Sequence, residues 1–313
     1  MRILLAEKSS FSPRGIQELN SIAPTDACDL RQEELAERVS DYEALVVRLG
    51  LRVDAEVLSA GRRLLAIGTP TTGLDHIDLA AARKQDVAVL SLKGERLFLD
   101  QVYATAEHSF ALLLSLARRI PAAFSAVQSG EWRRDLYRGW ELNGKTLGLI
   151  GCGRLGNMVV RYAQAFGMQV LVYDPYIDQV PTGVTRCSSL MELLSASDMV
   201  SVHVPLNAET EGLLGEAELA QMRPGAFLVN TSRGAVLDEN VLLQALESGR
   251  LGGAALDVLY DEHLLQIDHP LLAYARQHDN LIITPHIGGA TYESVEKADL
   301  FLVNKLRQFL QKT

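Results

Sequence analysis

Thr146-Leu-Gly-Leu-Ile-Gly151-Cys-Gly153-Arg-Leu-Gly156 is a short apolar run that ends in G-x-G-x-x-G. An amphipathic stretch over 155–166 follows, and the next apolar run closes on Asp174, 18 residues beyond Gly156. A glycine-rich turn alone occurs in many loops. Between a strand and a helix it acquires a mechanism: the glycines permit a tight turn and close backbone approach to a pyrophosphate, and the helix N-terminus offers amide N–H groups. A carboxylate at Asp174 can accept hydrogen bonds from both hydroxyls of an adenosine ribose and would repel a 2′-phosphate. That favours NAD over NADP, although Asp174-Pro175 could also be a plain turn after a strand. Gly151, Gly153, Gly156 and Asp174 are the candidate cofactor residues.

Outward from this unit the same rhythm continues. Strand candidates lie at 146–150, 169–174, 199–204, 226–231, 254–258 and 281–284, with helical stretches such as 155–166, 190–195 and 239–247 between them. Six strands joined by crossovers predict a doubly wound, parallel-sheet dinucleotide-binding domain. Upstream, residues 1–92 alternate strand candidates (3–5, 44–48, 64–68, 87–92) with helical patterns such as 31–39 and 77–84, again an α/β layer structure with a parallel sheet. A long helix is expected over 101–120, stopped by Pro121. The segment 122–142, with Trp132, Trp140 and several arginines, reads as an arm that packs on a second subunit or on its own domain. The last helix, about 292–310, has no following strand and is expected to return to the first domain.

The bulk properties narrow the partners. The chain has 313 residues, 48% hydrophobic and 22% charged, as suits two globular domains. A net charge of −9 argues against nucleic acid or an anionic membrane as the main partner, while leaving room for a local basic pocket. No signal-peptide pattern opens the chain and the most apolar helix candidate is too short to span a bilayer. Cys28, Cys152 and Cys187 have no paired spacing, so neither a disulfide framework nor a metal site is expected. A cytoplasmic setting follows.

Three polar residues stand at or just beyond strand ends in the second series: Arg233 after Asn230-Thr-Ser, Glu262 beyond Asp257-Val258, and His286 after Thr284-Pro285. Open parallel sheets bind ligands outside the carboxyl ends of their strands. Taken singly, these could be a surface ion-pair arginine, a solvated acidic turn and a loop histidine.

The segments that hold them carry more. Asn230-Thr-Ser-Arg-Gly234, Ala255-Leu-Asp-Val258, Thr284-Pro-His-Ile-Gly288, Ala106-Glu-His-Ser-Phe-Ala-Leu-Leu-Leu114, Trp140-Glu-Leu-Asn-Gly-Lys-Thr-Leu-Gly148, and His203-Val-Pro-Leu206 with Glu209-Thr210 resemble the signature segments of the D-isomer-specific 2-hydroxyacid dehydrogenases. Phosphoglycerate, glycerate and D-lactate dehydrogenases belong to that family. The likeness runs through nearly the whole chain and is most specific over 101–292.

The resemblance implies a Rossmann cofactor domain over 101–290 and a flavodoxin-like α/β substrate domain built from 1–100 and 291–313, with a cleft that closes on NAD and substrate. It implies hydride transfer at C2 of a small D-2-hydroxy or 2-keto acid. Arg233 would bind the substrate carboxylate and polarise the carbonyl, His286 would act as acid and base, and Glu262 would hydrogen-bond His286 and favour its protonated form. Arg154 and Leu155 would cover the pyrophosphate, Val204 and Thr231 would line the path to the nicotinamide, Asp257 would meet the carboxamide, and Gly288 and Gly289 would let the backbone approach the ring. Gly68-Thr-Pro-Thr-Thr-Gly73, followed by Asp75-His-Ile-Asp78, resembles the family's substrate loop. There Thr71, Thr72 and Gly73 would offer backbone N–H groups, Thr72 also touching the cofactor. Arg48 resembles an arginine that contacts the substrate's distal group in phosphoglycerate dehydrogenases, or it is a strand-end surface residue. A homodimer through the cofactor domain is expected.

Two departures matter. The family often has proline directly after the glutamate, where this chain has His263, so the nearby loop is expected to differ and Glu262 is chosen over Asp261 by its spacing from Arg233 and Asp257. Thr69 stands where many phosphoglycerate enzymes have arginine, which bears on the substrate. A C-terminal regulatory extension is not expected, since the chain ends at Thr313. Two other readings keep the fold. A formate-dehydrogenase-like member would have an amide at Glu262, and an NAD(H)-sensing corepressor would keep all three residues but carry long disordered flanks.

Overall fold

Three-residue strands build the first sheet of the computed structural model, which describes residues 1–312, the His263 side chain excepted. In chain order this part reads β1 (Ile3–Leu5), α1 (Pro13–Ile22), β2 (Thr25–Ala27), α2 (Gln32–Arg38), β3 (Ala44–Val46), α3 (Ala55–Ala60), β4 (Ala66–Gly68), α4 (Leu79–Lys84), β5 (Ala88–Leu90) and α5 (Arg96–Leu99). Every residue of β1, β3 and β4 is buried, as strands covered by helices on both faces must be. The strands are all parallel, in the order β2-β1-β3-β4-β5, the flavodoxin-like arrangement.

The second sheet is longer. Its elements are α6 (Ala104–Ala117), α7 (Ile120–Gln128), β6 (Thr146–Ile150), α8 (Arg154–Ala165), β7 (Gln169–Tyr173), β8 (Val184–Arg186), α9 (Leu190–Ala196), β9 (Met199–Val202), α10 (Glu216–Gln221), β10 (Ala226–Asn230), α11 (Glu239–Glu247), β11 (Leu251–Leu256), α12 (Pro270–Ala275) and β12 (Leu281–Ile283). All seven strands are parallel, ordered β12-β11-β10-β9-β6-β7-β8. The order reverses between β6 and β9, which opens a ligand crevice beyond their carboxyl ends. One core lies on each face: Leu193, Leu228 and Leu242 on one side, Phe110, Leu149 and Val160 on the other. Each such side chain contributes about 2 kcal/mol by leaving water.

The chain then returns. Helix α13 (Tyr292–Leu310) packs on α1 and completes the first core with Leu302, Val303 and Leu306. Contacts divide the molecule into two compact units, Met1–Val102 with the chain from Ala290 onward, and Tyr103–Gly289.

Some elements differ from their sequence reading. β2 and β8 were not expected. Both are three-residue edge strands without a single fully buried residue, so neither carries an apolar run. Pro121 does not simply stop a helix: it sits in the first turn of α7, where its missing N–H costs nothing, and the break before it comes from Arg119 at φ 51°. Helices α1, α3, α10 and α12 add to the helical stretches named from sequence; α1 and α3 are started by side-chain caps from Ser12 and Asp54. Among the described residues no single helix is long and apolar enough to cross a membrane.

Candidate active site

The dinucleotide loop leaves β6 and turns at Gly151, whose φ is 90°. A Cβ there would lie 2.6 Å from the His203 carbonyl oxygen, and one on Gly156 would lie 2.4 Å from the Gly151 oxygen. Glycine is thus required at both positions by close backbone packing, while Gly153 opens onto free space at the N-terminus of α8. Arg154 and Leu155 form the first turn of that helix. Val204 follows β9 across the switch point, 3.0 Å from the Cβ position of Gly151. Asp174 directly follows β7 and accepts from the Cys152 N–H through Oδ2 and from the Tyr176 N–H through Oδ1, both at 2.9 Å. A glycine cradle, a helix N-terminus and a carboxylate at the neighbouring strand end fit a dinucleotide.

Arg233, Glu262 and His286 follow β10, β11 and β12, three adjacent strands. Nδ1 of His286 meets Glu262 Oε1, and the two side chains are 23% and 25% exposed. Among the described residues Nε2 of His286 makes no hydrogen bond. His286 itself stands at φ 54° and Asp261, just before its partner, at φ 47°. Non-glycine residues in this region store about 1–3 kcal/mol, held there by surrounding contacts. Arg233 is pinned through its carbonyl, which accepts from Asn230 Nδ2 at 2.9 Å. The next residue, Gly234, lies so close to Leu259 and Tyr260 that a Cβ would come within 2.0 Å of the Leu259 carbonyl carbon. This backbone contact ties the arginine's turn to the chain leading into Glu262.

Asp257 holds the histidine's loop. It is 1% exposed. Oδ1 accepts from the Thr284 hydroxyl at 2.6 Å and the Ile287 N–H at 2.9 Å, and Oδ2 from the Gly288 N–H at 2.7 Å. His108 Nε2 lies 3.1 Å from both Asp257 Oδ1 and Thr284 Oγ1. Burial alone would raise the Asp257 carboxyl, but the hydrogen bonds from His108, Thr284, Ile287 and Gly288 outweigh it and leave the group below its ordinary value. Buried Thr231 bonds to Ser109 Oγ at 2.6 Å. Gly289 is exposed.

His108 and Ser109 had no role assigned from sequence. A usable signal was there: polar residues such as these, beside the apolar run 110–114 of helix α6, need partners wherever they are buried.

In the other unit, Thr69 and Arg48 follow β4 and β3. Thr71 Oγ1 donates to the Gly73 carbonyl at 2.7 Å and lies 2.9 Å from Thr69 Oγ1. Among the described residues no hydrogen bond uses the backbone N–H of Thr71, Thr72 or Gly73. Arg48 is bound by Asp299 of α13.

Comparison with known proteins gives a consistent match. Residues 110–288 match the model of the D-isomer specific 2-hydroxyacid dehydrogenase NAD binding domain. A D-3-phosphoglycerate dehydrogenase of Archaeoglobus fulgidus is 38% identical over 297 residues, 94% of this chain and 54% of that protein. The chain spans about half the length of the curated relatives it matches. A Thermus thermophilus protein structure superposes with a TM-score of 0.88 at 35% identity, covering 100% of this chain and 97% of the other. The D-lactate dehydrogenase of Aquifex aeolicus, complexed with NAD and lactic acid, gives 0.84 at 31% identity, covering 100% and 96%.

Proposed function

Because the chain belongs to the D-isomer-specific 2-hydroxyacid dehydrogenase family, we propose that it moves a hydride between NAD(H) and C2 of a small D-2-hydroxy or 2-keto acid. The observation that carries this reading is the His286–Glu262 pair, in which Nδ1 is occupied and Nε2 is left for a substrate.

Bound NAD(H) supplies or receives the hydride. Arg233 binds the substrate carboxylate and polarises the C2 carbonyl, tasks suited to a planar, permanently charged fork. In reduction His286 gives its Nε2 proton to the carbonyl oxygen, and in oxidation it takes that proton back. One hydride and one proton thus interconvert C=O and CH–OH. Glu262 orients the ring and balances its charge in the protonated state. The free amides of Thr71, Thr72 and Gly73 give the carboxylate a second hold. In this reading residues 1–100 and 291–313 serve the substrate, and 101–290 serve the cofactor. There Gly151, Gly153, Arg154, Leu155 and Gly156 cradle the pyrophosphate and Asp174 takes the ribose. Val204, Thr231, Asp257, Gly288, Gly289 and Thr72 follow the path to the nicotinamide.

Two further assignments go with it. Ile120, Phe124, Val127, Trp132 and Leu136 are about half exposed or more, an apolar strip that suits a homodimer contact; sedimentation would read its mass. A reducing cytoplasm suits three unpaired thiols.

The test is NADH oxidation against a panel of 2-keto acids. Turnover with at least one acid, lost about a thousandfold in His286→Asn, is expected. A wild-type protein inactive on every acid, or a variant as fast as wild type, ends the reading.

A further inference from the structure

Arg48 leaves β3 beside Thr69, which leaves β4: the Val47 N–H donates to the Gly68 carbonyl at 3.0 Å, and the two strands run in parallel register. Both residues stand on the carboxyl side of the five-stranded sheet, where such sheets take ligands. The uncommitted amides at 71–73 follow on the same edge. A substrate held by those amides has its tail within reach of whatever ends β3, because neighbouring strands are only about 4.8 Å apart.

That position holds an arginine already paired with a carboxylate, while a second one, Glu7, accepts from the Arg48 N–H. Arg48 Nη2 pairs with Asp299 Oδ1, with the aspartate wholly buried and the arginine side chain 18% exposed. Asp299 Oδ2 accepts from the Ser12 N–H at 2.7 Å. Among the described residues Arg48 Nε is buried without a partner. Asp299 lies within helix α13, on the face that also buries Leu302 and Val303. Stability gives little reason for it, since a buried ion pair seldom outperforms an apolar pair of the same volume. Burial pushes the Asp299 carboxyl up to about 6, with the guanidinium opposing. Thr69, at the next strand end, is also buried and offers only a hydroxyl, engaged with Thr71 and with His76 at 3.3 Å.

We propose that Asp299 is a specificity-determining residue: by neutralising Arg48 it selects 2-keto acids with an uncharged tail and excludes those that carry a second anionic group, phosphate or carboxylate. A second anion would give up its hydration to meet a pair of no net charge, with a fixed carboxylate behind the guanidinium. The inference rests on the function proposed above.

The test compares kcat/KM for glyoxylate, pyruvate and hydroxypyruvate with that for oxaloacetate, 2-ketoglutarate and 3-phosphohydroxypyruvate. Wild type is expected to favour the best uncharged tail by at least tenfold. Asp299→Asn, nearly isosteric, should raise the dianion-to-monoanion ratio about tenfold or more, and adding Arg48→Met should abolish that gain. A wild type that works best on a dianionic acid overturns the proposal with no variant needed, so poor folding of Asp299→Asn does not protect it. An unmoved ratio in a folded Asp299→Asn also overturns it while leaving the dehydrogenase reading intact. Inactivity of wild type on all six acids would instead remove both.

Discussion

His286 meets Glu262 through Nδ1 while its own backbone stands at φ 54°. The pair therefore depends on a strained turn. The turn is held because the His286 N–H donates to the Asp257 carbonyl at 2.9 Å and the Asp257 carboxylate takes the next two amides.

Asparagine tolerates the left-handed region and valine does not. His286→Asn should keep wild-type stability to within about 0.5 kcal/mol, whereas His286→Val should lose about 1–2 kcal/mol more. Both should lose turnover. Urea midpoints beside NADH oxidation rates check the separation of strain from chemistry.

Asp257 supplies the acceptors for that loop. Its carboxyl is lowered in the folded protein, so its stabilisation is present above the unfolded value near 3.8 and is lost as pH falls through the lower folded value. Asp257→Asn should cost about 2–3 kcal/mol at pH 7, since hydrogen bonds to a charged acceptor are lost. The gap to wild type should narrow below pH 4. Denaturation at pH 7 and pH 3 measures it.

His203 follows β9 and lies against Ser201 Oγ at 2.9 Å. Burial lowers its pKa from 6.5 to about 4. A histidine kept neutral by folding stabilises above its unfolded pKa, and that contribution disappears as pH falls through 4. The loss is on the order of 2–3 kcal/mol between pH 7 and pH 4. His203→Gln should flatten this part of the stability profile, as urea midpoints at pH 7, 5 and 4 would show.

Asp174 holds the Cys152 N–H of the glycine loop, and the function proposed above gives it the ribose. Asp174→Ala should raise the KM for NAD about tenfold to a hundredfold, with little rise for NADP, because the repulsion of a 2′-phosphate goes with the carboxylate. Steady-state kinetics with the two cofactors decide it. An unchanged NAD preference would place the ribose elsewhere.

Local order was open to reading from residues alone. Apolar runs 3–5 and 146–150, the glycines at 151, 153 and 156, and the helical stretch from Tyr292 each act through near neighbours, so their strands, turn and helix could be placed. β2 and β8 escaped because these two edge strands carry no apolar run of their own and are stabilised by the partner each pairs with. Arg233, Glu262 and His286 were recognisable within motifs, but motifs carry no distances.

Which side chains meet is a matter of the folded chain. His286 finds Glu262 across 24 residues, His108 finds Asp257 across 149, and Arg48 finds Asp299 across 251. Such pairings follow from crossover topology and from a terminal helix returning to the first sheet. Those are set by the burial of whole faces, to which any one of these polar residues contributes almost nothing. Local residue patterns were enough for the layers, the glycine loop and the types of polar residue at the strand ends. Packing decided that Arg48 is already paired, and with it the charge a substrate meets.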